Sequence, residues 1–101
     1  MATANRNLSD YNKDFVPNGA DFRIGIVVSE WNETITSNLL NGAIEALISS
    51  GVKEENIHVE TVPGAFELPL GAQHFCKRKD IDGVITIGVV IQGETRHFDF
   101  V

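Results

Sequence analysis

Three side chains that could do chemistry lie shortly after apolar runs of the chain: Trp31, Glu67 and His97. Histidine is the residue type that ionises near neutral pH, so His97 is the best candidate for a general acid or base. Trp31 is either a lid over the edge of a sheet or a platform on which a flat heterocycle stacks. Glu67 either complements the dipole of a following helix or accepts hydrogen bonds from sugar-like hydroxyl groups.

The polar turn before His97 is a candidate anion-binding site. Residues 93–95, Gly-Glu-Thr, could offer backbone amides and one hydroxyl to an anion. The turn does not match a Walker loop or a dinucleotide-binding fingerprint. A strand followed by an ordinary turn and an exposed histidine, without any function, would show the same sequence. Phe66, next to Glu67, is interpreted as a packing residue rather than a contact.

The remaining histidines and the cysteine do not indicate a metal or a nucleophile. His58 and His74 have no ligand spacing with His97, so no metal site is predicted. Asp99 follows His97 by two residues, a spacing at which helical side chains do not face each other, so the pair is not interpreted as an oriented base. Cys76 lies on an apolar stripe and is expected in the core.

Length and charge limit the class of protein. The chain has 101 residues and a net charge of −6, which suits one domain and disfavours nucleic-acid binding, because no basic stripe can neutralise phosphates. A single cysteine excludes an internal disulfide and does not indicate an oxidising compartment. Neither a membrane-spanning run nor a signal-peptide core is recognised, so the prediction is a cytoplasmic protein without a membrane partner.

Hydrophobic periodicity predicts the elements that position these side chains. Apolar runs and an amphipathic pattern alternate along the chain. The predicted elements are a strand over 22–29, a helix over 35–50 with Thr34 as its N-cap and Gly51 beyond its end, a strand over 57–62, a helix over 68–79 with Pro69 in its first turn, and a strand over 84–91.

This alternation predicts an α/β fold with a parallel sheet in strand order 2-1-3 and helices on its faces. The loops that carry Trp31, Glu67 and His97 then open at one edge, where such sheets bind ligands. Residues 1–21 lack periodicity and are expected to be mobile. The third strand would be an exposed edge unless further chain covers it, so residues 22–101 are expected to form the N-terminal part of one larger domain.

Three motifs together resemble the 6,7-dimethyl-8-ribityllumazine synthase family. They are GIVVSEWN at 25–32, VPGAFE at 62–67 and GVVIQGETRH at 88–97. The resemblance covers about residues 22–101, with the motifs in the family's order and spacing, and the chain is truncated at its C-terminal end relative to the family. It implies a flavodoxin-like, three-layer α/β/α fold and homo-oligomers that are pentamers or capsids of pentamers.

The resemblance also implies a reaction in riboflavin biosynthesis that uses no metal or organic cofactor. A transferase of this family joins 5-amino-6-(D-ribitylamino)uracil to 3,4-dihydroxy-2-butanone 4-phosphate, releasing phosphate and water. His97 matches the residue that transfers protons in the family. The substrate-binding positions that match are Trp31 for the pyrimidine ring, Ala65, Phe66 and Glu67 for the ribityl chain, Val89, Val90 and Ile91 for the uracil edge, and Glu94 and Thr95 for the phosphate.

Two other functions compete with this one. A non-catalytic module that binds ribityl-pyrimidines or flavins, or that serves assembly, could keep the same pocket. A flavodoxin-like signalling domain is disfavoured, because the first loop carries Trp31-Asn32 instead of the paired acids that hold a metal in such domains.

Overall fold

A computed structural model describes residues 10–101. The strands and α-helices alternate as predicted. They are β1 (Ile24–Ser29), α1 (Glu33–Ser49), β2 (Ile57–Val62), α2 (Leu68–Cys76) and β3 (Gly83–Ile87). In the part of the chain that the structure describes, four short 3₁₀ turns lie at Lys13–Phe15, Glu54–Asn56, Ala65–Glu67 and Arg96–Phe100. Within the described residues, no helix has the length and apolar character needed to cross a membrane.

The sheet is parallel and has the order β2-β1-β3, which confirms the predicted topology. β1 is the central strand and is buried on both faces, with Ile26 and Val27 completely inaccessible. One face of the sheet packs against α1. The residues in this core are Ile26, Val28 and Ile87, with Leu40, Ala43, Ile44 and Leu47 of α1 packed on them.

The other face of the sheet packs against α2 at very short range. A Cβ atom at Gly25 in β1 would lie 2.7 Å from the Phe75 ring, and one at Gly71 in α2 would lie 2.6 Å from Val27. Glycine is therefore required on both sides of this contact. The sheet thus separates two helices, which is the three-layer α/β/α arrangement of the flavodoxin-like class.

Several predicted helix boundaries were wrong. α1 begins at Glu33 and its N-cap is Asn32, not Thr34. α2 ends at Cys76 instead of Lys79. The side chain of Cys76 is exposed and is not part of the core.

β3 was predicted to reach Ile91 but ends at Ile87. Its hydrogen-bonding neighbour is β1, and the last register pair joins Val28 to Ile87. The pairing of β1 with β2 continues beyond this point, since the Glu30 N–H donates to the Val62 carbonyl at 2.8 Å. Among the described residues no register pair joins β1 to residues 88–91, so the apolar run is longer than the strand.

The end of α1 contacts the segment that precedes β1. Gly51 has a φ of +97°, as expected for a glycine beyond a helix end. The Gly19 N–H donates to the Ser50 carbonyl at 2.7 Å, and the Asn18 side chain lies where a Cβ of Gly51 would be. The predicted mobile segment, 1–21, lies partly outside the described residues, and both its mobility and its separation from 22–101 stay predictions.

Substituting alanine for two glycines of this region should have opposite effects. Gly51→Ala is expected to lower the free energy of unfolding by about 1–2 kcal/mol, because the residue has a positive φ and its new methyl group meets Asn18. Gly42→Ala, inside α1 and with no atom within 4 Å of the new Cβ, is expected to raise it by about 0.5–1 kcal/mol. Urea unfolding of both variants checks the pair. Equal effects would contradict the assignment of strain to Gly51.

Hydrogen bonds join the amino ends of β1 and β3. The backbone N–H of Arg23 donates to the Asp82 carboxylate at 2.8 Å, and the backbone N–H of Asp82 donates to the Arg23 carbonyl at 2.8 Å. Arg78 donates two hydrogen bonds to Asp80, at 3.0 and 2.8 Å, which lower the pKa of the Asp80 carboxyl. These charges lie at the opposite end of the strands from the candidate site, so they do not set its electrostatics.

Candidate active site

An open cavity of about 630 Å³ lies at the carboxyl ends of the strands. Three loops, which follow β1, β2 and β3, form its wall. The lining residues are Trp31, Pro63, Gly64, Ala65, Phe66, Glu67, Val89, Val90, Ile91, Gly93, Thr95, His97, Phe98 and Val101. The cavity therefore lies where the parallel topology places a ligand site.

The first two loops are joined by backbone hydrogen bonds. The Glu30 N–H donates to the Val62 carbonyl at 2.8 Å, and the Trp31 N–H donates to the Pro63 carbonyl at 3.1 Å. The pairing of β1 with β2 therefore continues beyond both strands. It holds the backbone of Trp31 at the cavity while 51% of this residue stays exposed. The exposed ring can meet a ligand.

The second loop brings Glu67 to the wall through a 3₁₀ turn. The Glu67 N–H donates to the Gly64 carbonyl at 3.2 Å, and Leu68 begins α2. Glu67 is half-buried and lines the cavity, but its side chain does not cap α2. Phe66 is 71% exposed on the same wall, so its interpretation as a packing residue was wrong.

The third loop carries the histidine. His97 is exposed within the 3₁₀ turn Arg96–Phe100, while its neighbour Phe98 is half-buried against the cavity. Asp99 accepts a hydrogen bond from Arg96 at 2.8 Å. Asp99 is therefore engaged by Arg96, in line with the view that it does not orient His97.

Among the described residues, the cavity wall has one carboxylate side chain, Glu67, and one imidazole, His97, and it has no lysine or arginine. Arg96 is the basic residue nearest in sequence, but its side chain is 85% exposed and pairs with Asp99. No group of three or more His, Cys, Asp or Glu residues in the range 10–101 is arranged to hold a metal ion. The described part of the wall therefore combines aromatic and apolar surface with one carboxylate and one imidazole.

Nine of the ten predicted site residues line this cavity. Glu94 does not, and its contact with a substrate stays a prediction. The sequence interpretation did not include Pro63, Gly64, Phe98 and Val101 among the site residues, and it considered Gly93 only as part of the candidate anion-binding turn. The turn chemistry of Pro63 and Gly64 is visible in the sequence, but nothing in the pattern around Val101 distinguishes it from a core residue.

Comparisons with known proteins identify relatives along the whole chain. The family described as 6,7-dimethyl-8-ribityllumazine synthase matches residues 21–101. Proteins of that name from Flavobacterium johnsoniae, Phocaeicola vulgatus and Parabacteroides distasonis are 57%, 54% and 52% identical to it over 101 residues. The match covers 100% of this chain in each case, and 53%, 60% and 63% of those three proteins. The chain thus spans little more than half the length of these curated relatives.

Proposed function

Because this chain belongs to the 6,7-dimethyl-8-ribityllumazine synthase family, we propose that the protein containing it is a transferase that condenses 5-amino-6-(D-ribitylamino)uracil with 3,4-dihydroxy-2-butanone 4-phosphate. The products are 6,7-dimethyl-8-ribityllumazine, phosphate and water. The observation that carries the proposal is the cavity itself, where Trp31, Glu67 and His97 line one wall although they lie far apart in sequence.

The cavity suits the ribitylaminouracil in three ways. The exposed Trp31 ring provides a flat surface for the pyrimidine. Glu67 offers carboxylate oxygens to the ribityl hydroxyls, beside Ala65 and Phe66. Residues 89–91 lie beyond the end of β3, so their backbone N–H and C=O groups are free to bond with the uracil edge.

The butanone phosphate has a less complete site. Thr95 on the wall and the adjacent Glu94 belong to the loop proposed to meet the phosphate, through backbone amides and the Thr95 hydroxyl. The described part of the wall does not supply a cation to balance a dianion. Phosphate binding therefore needs a cation from elsewhere in the protein or from another copy of it.

The proposed reaction requires proton transfers rather than a strong nucleophile. The first amine attacks the ketone with loss of water. Elimination of phosphate then leaves an enol, which tautomerises to a new carbonyl on the neighbouring carbon. The second amine closes the ring on this carbonyl with loss of a second water. His97 lies on the wall where it can accept and return these protons. Holding the two reactants side by side can supply about 7–11 kcal/mol of the barrier reduction.

Assembly and location form a further part of the proposal. A homo-oligomer, a pentamer or a capsid of pentamers, and a cytoplasmic location follow from the family resemblance. Large apolar side chains that are exposed in the single chain support association. Among them are Val59 on β2 and Leu70 on α2.

A binding module is the second candidate, because an open cavity without a cation also suits a protein that holds ribityl-pyrimidines but does no chemistry. One assay separates the two functions. Both substrates are mixed with the purified protein, and lumazine absorbance and ribitylaminouracil binding are followed. Product formation above the uncatalysed rate supports the enzyme. Binding without product would favour the module.

The role of His97 can be tested separately. His97→Ala is expected to lower turnover by at most about 100-fold, the low end for loss of a general acid–base group, because part of this condensation proceeds once both reactants are bound. Ribitylaminouracil affinity should change little. Steady-state kinetics and calorimetry on the same preparation measure both quantities. Unchanged turnover in a folded variant would remove His97 from the mechanism.

A further inference from the structure

Asn32 is the one non-glycine residue in the described chain with a positive φ, at φ 58° and ψ 56°. It lies between Trp31 on the cavity wall and Glu33, the first residue of α1. The left-handed conformation is disfavoured for residues with a Cβ, although asparagine tolerates it better than most. Such backbone strain persists where the surroundings impose it, often at functional sites.

Helix capping does not explain the asparagine. This residue type is favoured at N-caps because its side-chain oxygen accepts a backbone N–H, and Asn32 makes no such bond. Its carbonyl accepts the Ile35 and Thr36 amides at 3.0 and 3.1 Å. Any residue type could provide that carbonyl if it tolerated the backbone conformation. Asparagine therefore differs from most other residue types at this position because it tolerates the left-handed backbone conformation.

The chain is held on both sides of Asn32. Before it, the amides of Glu30 and Trp31 bond to the chain that continues from β2, at 2.8 and 3.1 Å. After it, Thr36 is 1% exposed, and its hydroxyl lies 3.4 Å from the Asn32 carbonyl. The residues before and after Asn32 are both fixed by hydrogen bonds. The chain must therefore change direction at Asn32.

The Trp31 ring depends on this turn because the core does not hold it. With 51% of the residue exposed, core packing constrains the side chain little, so the backbone conformation at this turn limits where the ring can lie. We propose that Asn32 is a positioning residue whose left-handed backbone directs the Trp31 ring to the cavity, where it stacks on a flat pyrimidine. This inference rests on the proposed function, in which that pyrimidine belongs to the ribitylaminouracil.

Substitutions at Asn32 separate backbone conformation from side-chain contact. Asn32→Gly keeps the left-handed conformation without steric cost, Asn32→Ala disfavours it, and Asn32→Val disfavours it most. Thr34→Val is the matched control, since it places the same β-branched residue at an exposed helical position nearby. Trp31 is the only tryptophan of the chain, so its emission maximum and acrylamide quenching report the ring without ligand. Quenching by 5-amino-6-(D-ribitylamino)uracil reports binding.

We expect Asn32→Gly and Thr34→Val to bind within about 3-fold of the parent. Asn32→Val should bind at least about 10-fold more weakly and should change the ligand-free fluorescence. If Asn32→Val does not fold, Asn32→Ala should show a smaller change in the same direction.

Two results would overturn the inference. Equal weakening in Asn32→Gly and Asn32→Val would mean that the asparagine side chain itself contacts the ligand. A lower melting temperature in Asn32→Val and Asn32→Ala, with parent-like fluorescence and affinity, would mean that the turn serves only stability. If the parent does not bind the ribitylaminouracil, the proposed function fails. The ligand-free fluorescence of the variants then still decides whether Asn32 positions the ring.

Discussion

Phe75→Ala is expected to lower the free energy of unfolding by about 3–5 kcal/mol, out of a total that is about 5–15 kcal/mol for typical proteins. Phe75 is 3% exposed and is the buried side chain of α2. Its ring lies against Gly25 of the central strand, and a Cβ at Gly25 would be 2.7 Å from ring atoms. Alanine would leave a cavity between α2 and the sheet that these rigid elements cannot close. Urea unfolding followed by circular dichroism measures the loss.

Phe66→Ala is the matched control for this substitution. It removes the same ring from a position that is 71% exposed, so stability should change by no more than about 0.5 kcal/mol. Gly25→Ala tests the same contact from the other side. It should be strongly destabilising in the parent and less so when Phe75 is already alanine, because the clash partner is absent. Additive effects would contradict the direct contact between Gly25 and Phe75.

Glu67→Ala is expected to weaken binding of 5-amino-6-(D-ribitylamino)uracil by about 10- to 100-fold. A hydrogen bond to a charged group contributes about 1.5–3 kcal/mol, and each 1.4 kcal/mol is tenfold in affinity. Glu67 is the one carboxylate on the cavity wall, so no neighbouring acid among the described lining residues replaces it. Glu67→Gln keeps one acceptor oxygen and should weaken ribitylaminouracil binding less than Glu67→Ala does. Isothermal titration calorimetry measures the affinity of the parent protein, of Glu67→Ala and of Glu67→Gln.

Glu94→Ala is the control for the loss of one negative charge near this site. Glu94 was predicted to lie on the phosphate side rather than at the ribitylaminouracil, and it does not line the cavity. Its removal should therefore change ribitylaminouracil affinity by less than about 3-fold. Equal losses for Glu67→Ala and Glu94→Ala would indicate that net charge, rather than a direct contact of Glu67, governs binding. Melting temperatures exclude a general loss of stability.

The sequence alone determined the order and type of the main elements. β2 runs over Ile57–Val62 as predicted, because its run of alternating and apolar residues ends at a proline turn. The strand order follows from alternation and the right-handed crossover, so the convergence of the loops that carry Trp31, Glu67 and His97 was predictable too. The bounds of β2 depend on a local sequence pattern, and the strand order depends on the right-handed crossover that parallel α/β chains share.

Tertiary structure decided where elements end and which side chains reach the cavity. β3 ends at Ile87 although its apolar run continues, since a strand needs a paired neighbour and no register pair joins β1 to residues 88–91. α1 begins after Asn32 rather than at a Thr34 cap. The Trp31 backbone is bonded to the chain beyond β2, so the chain changes direction at Asn32 and the helix follows directly. Hydrophobic periodicity contains no information about these distant partners. The placement of Glu67 on the wall and of Glu94 off it depends on the same long-range contacts.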